Sequence, residues 1–418
     1  MEAQREYASH VTWRGSRFGC RTTIANDLGL VAAHRPRARP GPSILALWAT
    51  ALVITAAEPA RAVAAPTPPP WTPPKLSLTA DTWIQFGVLG QFMYEAKQAN
   101  AGDFNEDTME RDSWSNEVFV RRLRMIAQGA LVGLPFYVSS DTPNLGKGGT
   151  DSQFFLNDAM LAVPLIPDAA RLIVGRMLVP FSFENLQPAG GLLGTDYNLN
   201  ALKLPPYIKA PYRDNGVQLA GVLAGNWIEY RTGIFASRND LNDVVGSDQG
   251  PRVTGRVMLN LADPQTGGWW YWENALGTKT TSAIGAGFDY QKNGGPYADR
   301  NYWAWVVDGV FDRPVGSSGQ VLSFAVAYYG WNHASDNFTG QTASAQCGWL
   351  LWNWFQPVLR WEHQNPDRGS NLDTYHVGLN FYLYGANANL KTDFAFGDRR
   401  DAAGHYQSTG RVQLQIFL

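Results

Sequence analysis

The 418-residue sequence predicts an all-β fold, a transmembrane antiparallel β-barrel of about 16 strands. Three observations carry the prediction. Aromatic residues reach 13% and glycine numbers 42, charged residues are only 17%, and no apolar run is long enough for a spanning helix. From residue 82 onward, short segments alternate apolar and polar side chains with the period of two that a strand imposes. The connections between them alternate short and long, as the periplasmic turns and extracellular loops of outer-membrane barrels do.

The first 65 residues read as a targeting segment rather than as structure. Arg35, Arg37 and Arg39 form a basic region, residues 43–57 (SILALWATALVITAA) an apolar one, and Ala60, Ala62, Ala64 and Ala65 supply small residues for cleavage near Ala65. Residues before about Val31 add nothing to such a signal and read as an extended N-terminus. Without the presequence, the chain keeps 34 − 8 = 26 basic and 36 − 4 = 32 acidic groups, net −6. That balance gives no basic field for nucleic acid. Cys20 lies in the presequence, so Cys347 stands alone in the remainder. Residues 66–80 begin with PTPPPWTPP, a Pro-rich spacer expected to stay unpaired.

The barrel is expected over residues 81–418. The strands are 82–95, 117–132, 136–140, 154–163, 171–177, 216–223, 227–236, 252–261, 281–290, 302–311, 321–331, 344–352, 358–363, 374–383, 389–396 and 411–418. Residues 117–131 (EVFVRRLRMIAQGAL) are the most informative. One face carries Phe119, Leu123, Met125, Ala127 and Leu131; the other carries Arg122, Arg124 and Gln128. In a membrane barrel the first face meets lipid and the second lines the lumen. Residues 374–383 and 252–261 sort in the same way, and the last strand sets Val412, Leu414, Ile416 and Leu418 against Arg411, Gln413 and Gln415.

With 82–95 running outward, the turns 133–135, 164–170, 224–226, 312–320, 353–357 and 384–388 fall at one end and are short. The intervening loops 96–116, 141–153, 178–215, 237–251 and 332–343 are mostly longer and polar. Residues 262–280 are the exception, long where a short turn is expected; their Trp269, Trp270, Tyr271 and Trp272 suit an inner headgroup boundary.

FVRRLRMIAQG at 119–129, LNDAML at 156–161, LIVGRMLVPFSFE at 172–184, RDNGVQL at 213–219 and VGLNFYL at 377–383 resemble the phosphate-selective porin O and P family in order and rough spacing. The resemblance implies a sixteen-stranded bacterial outer-membrane porin, commonly a homotrimer, with a long loop folded into the pore at residues 178–215. It also implies a water-filled channel for small anions, phosphate among them, lined by arginines and loop lysines, and no cofactor or metal. By alternation Arg122, Arg124, Arg231, Arg252, Arg256, Arg360, Lys391 and Arg411 face the lumen. Arg176 is placed with them, although the parity of its strand is ambiguous. Lys203 and Lys209 are the loop cations.

Arg122 and Arg124 stand two apart on one strand, with Cα atoms roughly 6–7 Å apart. Two cations this close repel unless an anion sits between them or a wall carboxylate such as Asp158 or Asp308 bridges them. The first case is a binding site and the second a stiffened wall; both readings stand. A general or sugar-type diffusion channel, a barrel plugged by its own loop, and a barrel-embedded hydrolase are the alternatives. No HExxH, GxSxG, P-loop or paired-cysteine motif occurs, so the enzyme reading has no local support.

Overall fold

The computed structural model describes residues 73–98, 114–149, 153–204, 212–236, 250–265, 268–294, 300–315, 319–400 and 406–418. The expected presequence 1–65 and Lys209 lie outside the described residues. The strands are β1 (Lys75–Ser77), β2 (Trp83–Gln98), β3 (Trp114–Leu131), β4 (Leu134–Leu145), β5 (Phe155–Ile166), β6 (Ala170–Leu178), β7 (Arg213–Leu223), β8 (Ile228–Phe235) and β9 (Arg252–Asn260). They continue with β10 (Thr281–Gln291), β11 (Tyr302–Val315), β12 (Gln320–Asn332), β13 (Gly340–Leu350), β14 (Phe355–Pro366), β15 (Leu372–Tyr384), β16 (Ala388–Arg400) and β17 (Tyr406–Phe417).

From β2 to β17 every strand pairs antiparallel with its neighbours in sequence, and β17 pairs with β2. The result is a closed sixteen-stranded barrel with no free edge among its long strands. β1 pairs with Trp83–Gln85, below Leu89, where the pairing of β17 with β2 stops. The paired residues follow the proline run 66–74, the stretch expected not to pair, and cover an edge that β2 would otherwise expose. Several strands outrun their expected bounds, β4 most of all. Its hairpin with β3 turns on Val132 and Gly133, with φ of 51° and 77°, the positive values a two-residue hairpin turn needs.

Burial is inverted relative to a soluble protein. On β15, Thr374, His376 and Asn380 are buried while Tyr375, Val377 and Leu379 are exposed. On β9, Arg252, Thr254 and Arg256 are buried while Val257 and Leu259 are exposed. An apolar exterior around a polar interior is what a bilayer requires of a closed sheet, whose backbone groups are all paired within it.

The first strand pair departs from strict alternation. Gln91 pairs with Arg122 but Phe92 with Val120, so Arg121 is an extra residue in β3, a β-bulge. Toward the short-turn end, Arg122 and Arg124 face the lumen as expected. Beyond the bulge parity flips. Phe119, expected on the lipid face, is 4% exposed and carries the Lys147 ammonium over its ring at 4.5 Å.

Two connections fill the lumen. Residues 179–204, after β6, enter from the long-loop end and bring Val179, Phe181, Leu186 and Ala201 into a buried apolar cluster with the inner wall. Residues 268–280, before β10, enter from the opposite end and join the same cluster through Tyr271. This corrects the headgroup assignment of the 269–272 aromatics. Tyr271 is fully buried, and Trp269 and Trp270 pack on the lumen residue Tyr137 with ring centroids 6.5 and 5.3 Å away.

Candidate functional site

The lumen loop begins with a local lock. Asn185 Oδ1 accepts from the Ser182 N–H at 2.6 Å, Asn185 N–H donates to Ser182 Oγ at 3.1 Å, and Asn185 Nδ2 donates to the Val179 carbonyl at 2.7 Å. Reciprocal side-chain to backbone bonds of this kind fix a turn without a helix or strand. From Ala189 on, the wall grips the loop by its carbonyls. Gln91 donates to Ala189 O at 3.2 Å, Gln415 to Gly190 O at 3.0 Å, Asn380 to Leu193 O at 2.9 Å and Gln413 to Thr195 O at 2.9 Å. Lys391 donates to the carbonyls of Leu192 and Gly194, and Arg360 to those of Asp196 and Tyr197, the last two at 2.9 and 3.3 Å. The loop thus runs around the wall across β2, β17, β16, β15 and β14. Gly191 lets it pass Trp272, because a Cβ there would come within 2.6 Å of the indole.

The expected lumen cations are placed as follows. Arg256 holds Asp308 with two bonds of 2.8 and 2.6 Å, and Arg252 pairs with Asp289. Arg231 donates to Glu229 at 2.9 Å and lies 4.6 Å over the Tyr271 ring. Arg124 donates to Asp141 at 2.6 Å, Arg360 to Glu362 at 2.9 Å, and Arg411 to Glu95 and Asp393 at 2.9 and 3.2 Å. Burying a charge is costly unless it is paired, and these pairs meet that requirement. Lys203 is half-buried with its ammonium 5.6 Å from the Phe338 ring. Arg176 does not follow the others. It pairs with Ala159 and Asn215 in the register of β6, on the side of the sheet where Asn215 and Val174 are exposed. The short strand and Gly175, at φ 127°, explain why its parity could not be read.

Among the described residues Arg122 and Arg124 bond to different carboxylates, Asp196 and Asp141. Arg122 donates to Gln91 Oε1 at 2.8 Å and to Asp196 Oδ1 at 2.7 Å. Arg121, turned inward by the bulge, donates to Asp196 Oδ2 through Nε at 2.9 Å and Nη2 at 2.6 Å. Burial pushes the Asp196 carboxyl up, but Arg121 and Arg122 outweigh it and hold the group well below the usual carboxylate range. Alternation conceals Arg121; an RR-x-R run with one arginine too many for a single face is the signal that could have revealed it.

Two cavities lie along the β17–β2–β3 wall. One, of about 250 Å³, opens at the long-loop end and is lined by Glu95, Arg121, Asp196, Arg360 and Arg411 among others. The other, of about 310 Å³, lies at the short-turn end beside Leu89, Arg124, Gln128, Gly190 and Trp270. They share no lining residue. Gln91 and Arg122, which line neither, stand between them on the wall, and the Gln91 amide reaches both Ala189 O of the loop and Gln415 Oε1, the latter at 2.8 Å.

No known protein family and no curated protein sequence matches the chain. Its fold is nonetheless similar to solved structures. OmpF of Salmonella typhi, solved with daunomycin, superposes with a TM-score of 0.58 at 8% identity, over 82% of this chain and 100% of that one. The anion-selective porin from Comamonas acidovorans gives 0.52 at 12% identity, over 81% and 100%. The outer membrane channel DcaP of Acinetobacter baumannii gives 0.51 at 12% identity, over 82% and 99%. At these identities the likeness establishes the fold: the chain is a sixteen-stranded barrel of the bacterial porin type.

Proposed function

We propose that this protein is an outer-membrane porin that passes small anions by passive diffusion, without enzymatic chemistry. The observation that carries the reading is the pair of cavities, one at each end of a single charged wall, with Gln91 and Arg122 between them and Asp196 at the edge of the first. A path that narrows between opposed charges discriminates by sign, because a low-dielectric wall leaves them poorly screened. On this reading the barrel spans the outer membrane of a bacterium, residues 1–65 direct its export, and copies associate as a homotrimer. Phosphate belongs among the solutes on the strength of the resemblance to the porin O and P family.

The wall cations bear on selectivity unequally. Arg360 and Lys391 are committed to loop carbonyls and Arg252 and Arg256 each to a carboxylate, whereas Arg121 and Arg122 are two cations sharing the one charge of Asp196, so the anion preference is modest and is set by that pair. Single-channel recording across a salt gradient tests this. The parent reverses toward the anion potential, and Arg121→Gln with Arg122→Gln moves the reversal toward cations. A channel indifferent to both changes would favour a general diffusion pore.

A further inference from the structure

We propose that Arg121 and Arg122 form a binding site for a small monocarboxylate, and that the Asp196 side chain is its resting occupant. The proposal rests on the reading of the lumen as a solute path. Two guanidinium groups that are adjacent in sequence normally point to opposite faces of a strand. Here the bulge turns both inward, and three of their N–H groups converge on the two oxygens of one carboxylate at 2.9, 2.6 and 2.7 Å. Arg121 gives two of its N–H groups to Oδ2 and Arg122 gives one to Oδ1, so each carboxylate oxygen has a guanidinium of its own, and such charge-assisted bonds are the strong ones by which arginine holds a carboxylate. The site is complete, and the group seated in it belongs to the protein.

Two further features allow exchange. Asp196 and Arg121 line the 250 Å³ cavity at the long-loop end, with 14% and 18% of their side chains exposed, whereas Arg122 behind them is 6% exposed. An entering solute therefore meets the outer side of the Asp196–Arg121 pair. The loop backbone has holds of its own, since Gln413 and Arg360 keep the carbonyls of Thr195, Asp196 and Tyr197, and the Tyr197 N–H, which donates to Asp196 Oδ1 at 3.0 Å, would pass to the incoming group. The Asp196 side chain can leave the arginines while its backbone stays in place. The incoming group must carry one negative charge to replace the one withdrawn. The other acids of the cavity, Glu95, Glu362 and Asp393, are already matched by Lys147, Arg360 and Arg411, so the single charge of Asp196 sets the charge of the group that replaces it. A tethered carboxylate competes at high effective concentration, so the parent binds the free ligand weakly.

The test removes the occupant. Asp196→Ala, purified in detergent, is melted against increasing acetate with chloride adjusted to constant ionic strength. The variant should melt below the parent, and acetate should restore it at concentrations at least about tenfold lower than any that affect the parent, the tether having been removed. Adding Arg121→Gln should abolish the restoration. In bilayers the same variant should show acetate block of its chloride current in that lower range. Asp196→Asn serves if the alanine variant does not fold. Equal acetate responses in parent and variant would overturn the proposal, as would stronger restoration by phosphate than by acetate. The two readings separate cleanly. A variant that binds acetate but passes no current defeats the porin reading alone, and a conducting variant without an acetate response defeats the site alone.

Discussion

Tyr271 stacks on Phe183 with ring centroids 5.1 Å apart and planes 15° from parallel. The two rings belong to connections that enter the barrel from opposite ends, so the two inserted segments bear on each other inside the lumen. Tyr271 is fixed from behind by its hydroxyl, which donates to Glu229 at 2.9 Å, and by its N–H, which donates to Leu186 O at 3.1 Å. Phe183→Ala should cost about 3–5 kcal/mol if the site cannot collapse. It should also raise the unitary conductance, because the loops lose their main apolar contact. Denaturant titration in detergent and bilayer recording measure the two effects.

The same junction is sensitive to pH. Gln187 Nε2 lies 3.3 Å from Glu184 Oε2 and 3.1 Å from Glu273 Oε2, and Gln346 donates to Glu273 at 2.6 Å. Burial lifts Glu184 to about 7, with the Asn198 N–H and Arg360 opposing and Glu362 and Asp196 adding. Burial lifts Glu273 to about 8, with the Glu184 charge and Asp312 adding and the two glutamine amides opposing; Lys391 also faces this group. Both values exceed the ordinary 4.5, so the folded state holds protons that the unfolded chain has released. The resulting stabilisation is full below pH 4.5 and is lost as pH rises through 7 to 8. The melting temperature should therefore be higher near pH 5.5 than near pH 8.5, and Glu273→Gln should flatten the difference.

Arg360 and Arg122 should fail in different ways. Arg360→Gln releases two loop carbonyls, so current noise and rapid closures should increase while the reversal potential moves little. Arg122→Gln leaves the backbone grip intact, so the reversal potential should shift toward cations with little added noise. Recordings of both variants in one salt gradient distinguish an anchor from a selectivity residue.

Leu379→Arg should impair assembly by about 2–4 kcal/mol if the site lies near the bilayer midplane, whereas Leu379→Ala should assemble. The heat-modifiable mobility of the folded barrel on a gel measures the yield of each.

The alternation over residues 252–260, 374–381 and 411–416 was legible because the lipid-facing positions there carry apolar residues or glycine. It failed at Arg121, because a bulge changes no residue type; it only adds one. The destination of residues 262–280 was misread for another reason. Their length marked them as exceptional, but an aromatic cluster suits a headgroup boundary and a packed lumen equally well. Arg360 and Lys391 were placed correctly on the inner face, yet their partners were invisible. They bind backbone carbonyls, and every residue of the loop carries one. Asp196 could be named as a loop acid but not joined to Arg121 and Arg122 across more than seventy residues of chain.

The wall holds residues 189–197 largely by their carbonyls, and those bonds do not depend on which side chain each residue carries. Gly191 and Gly194 are exceptions, since a Cβ at either would strike Trp272 or Arg360. Ala189, Leu192, Leu193 and Tyr197 are buried and so constrained in size, which leaves Asp196 and the exposed Leu199, both lining the cavity at the long-loop end, as the positions where a lineage can change what the passage admits. The same two positions are the natural ones to diversify in a library, each variant presenting its new chemistry from the same seated backbone.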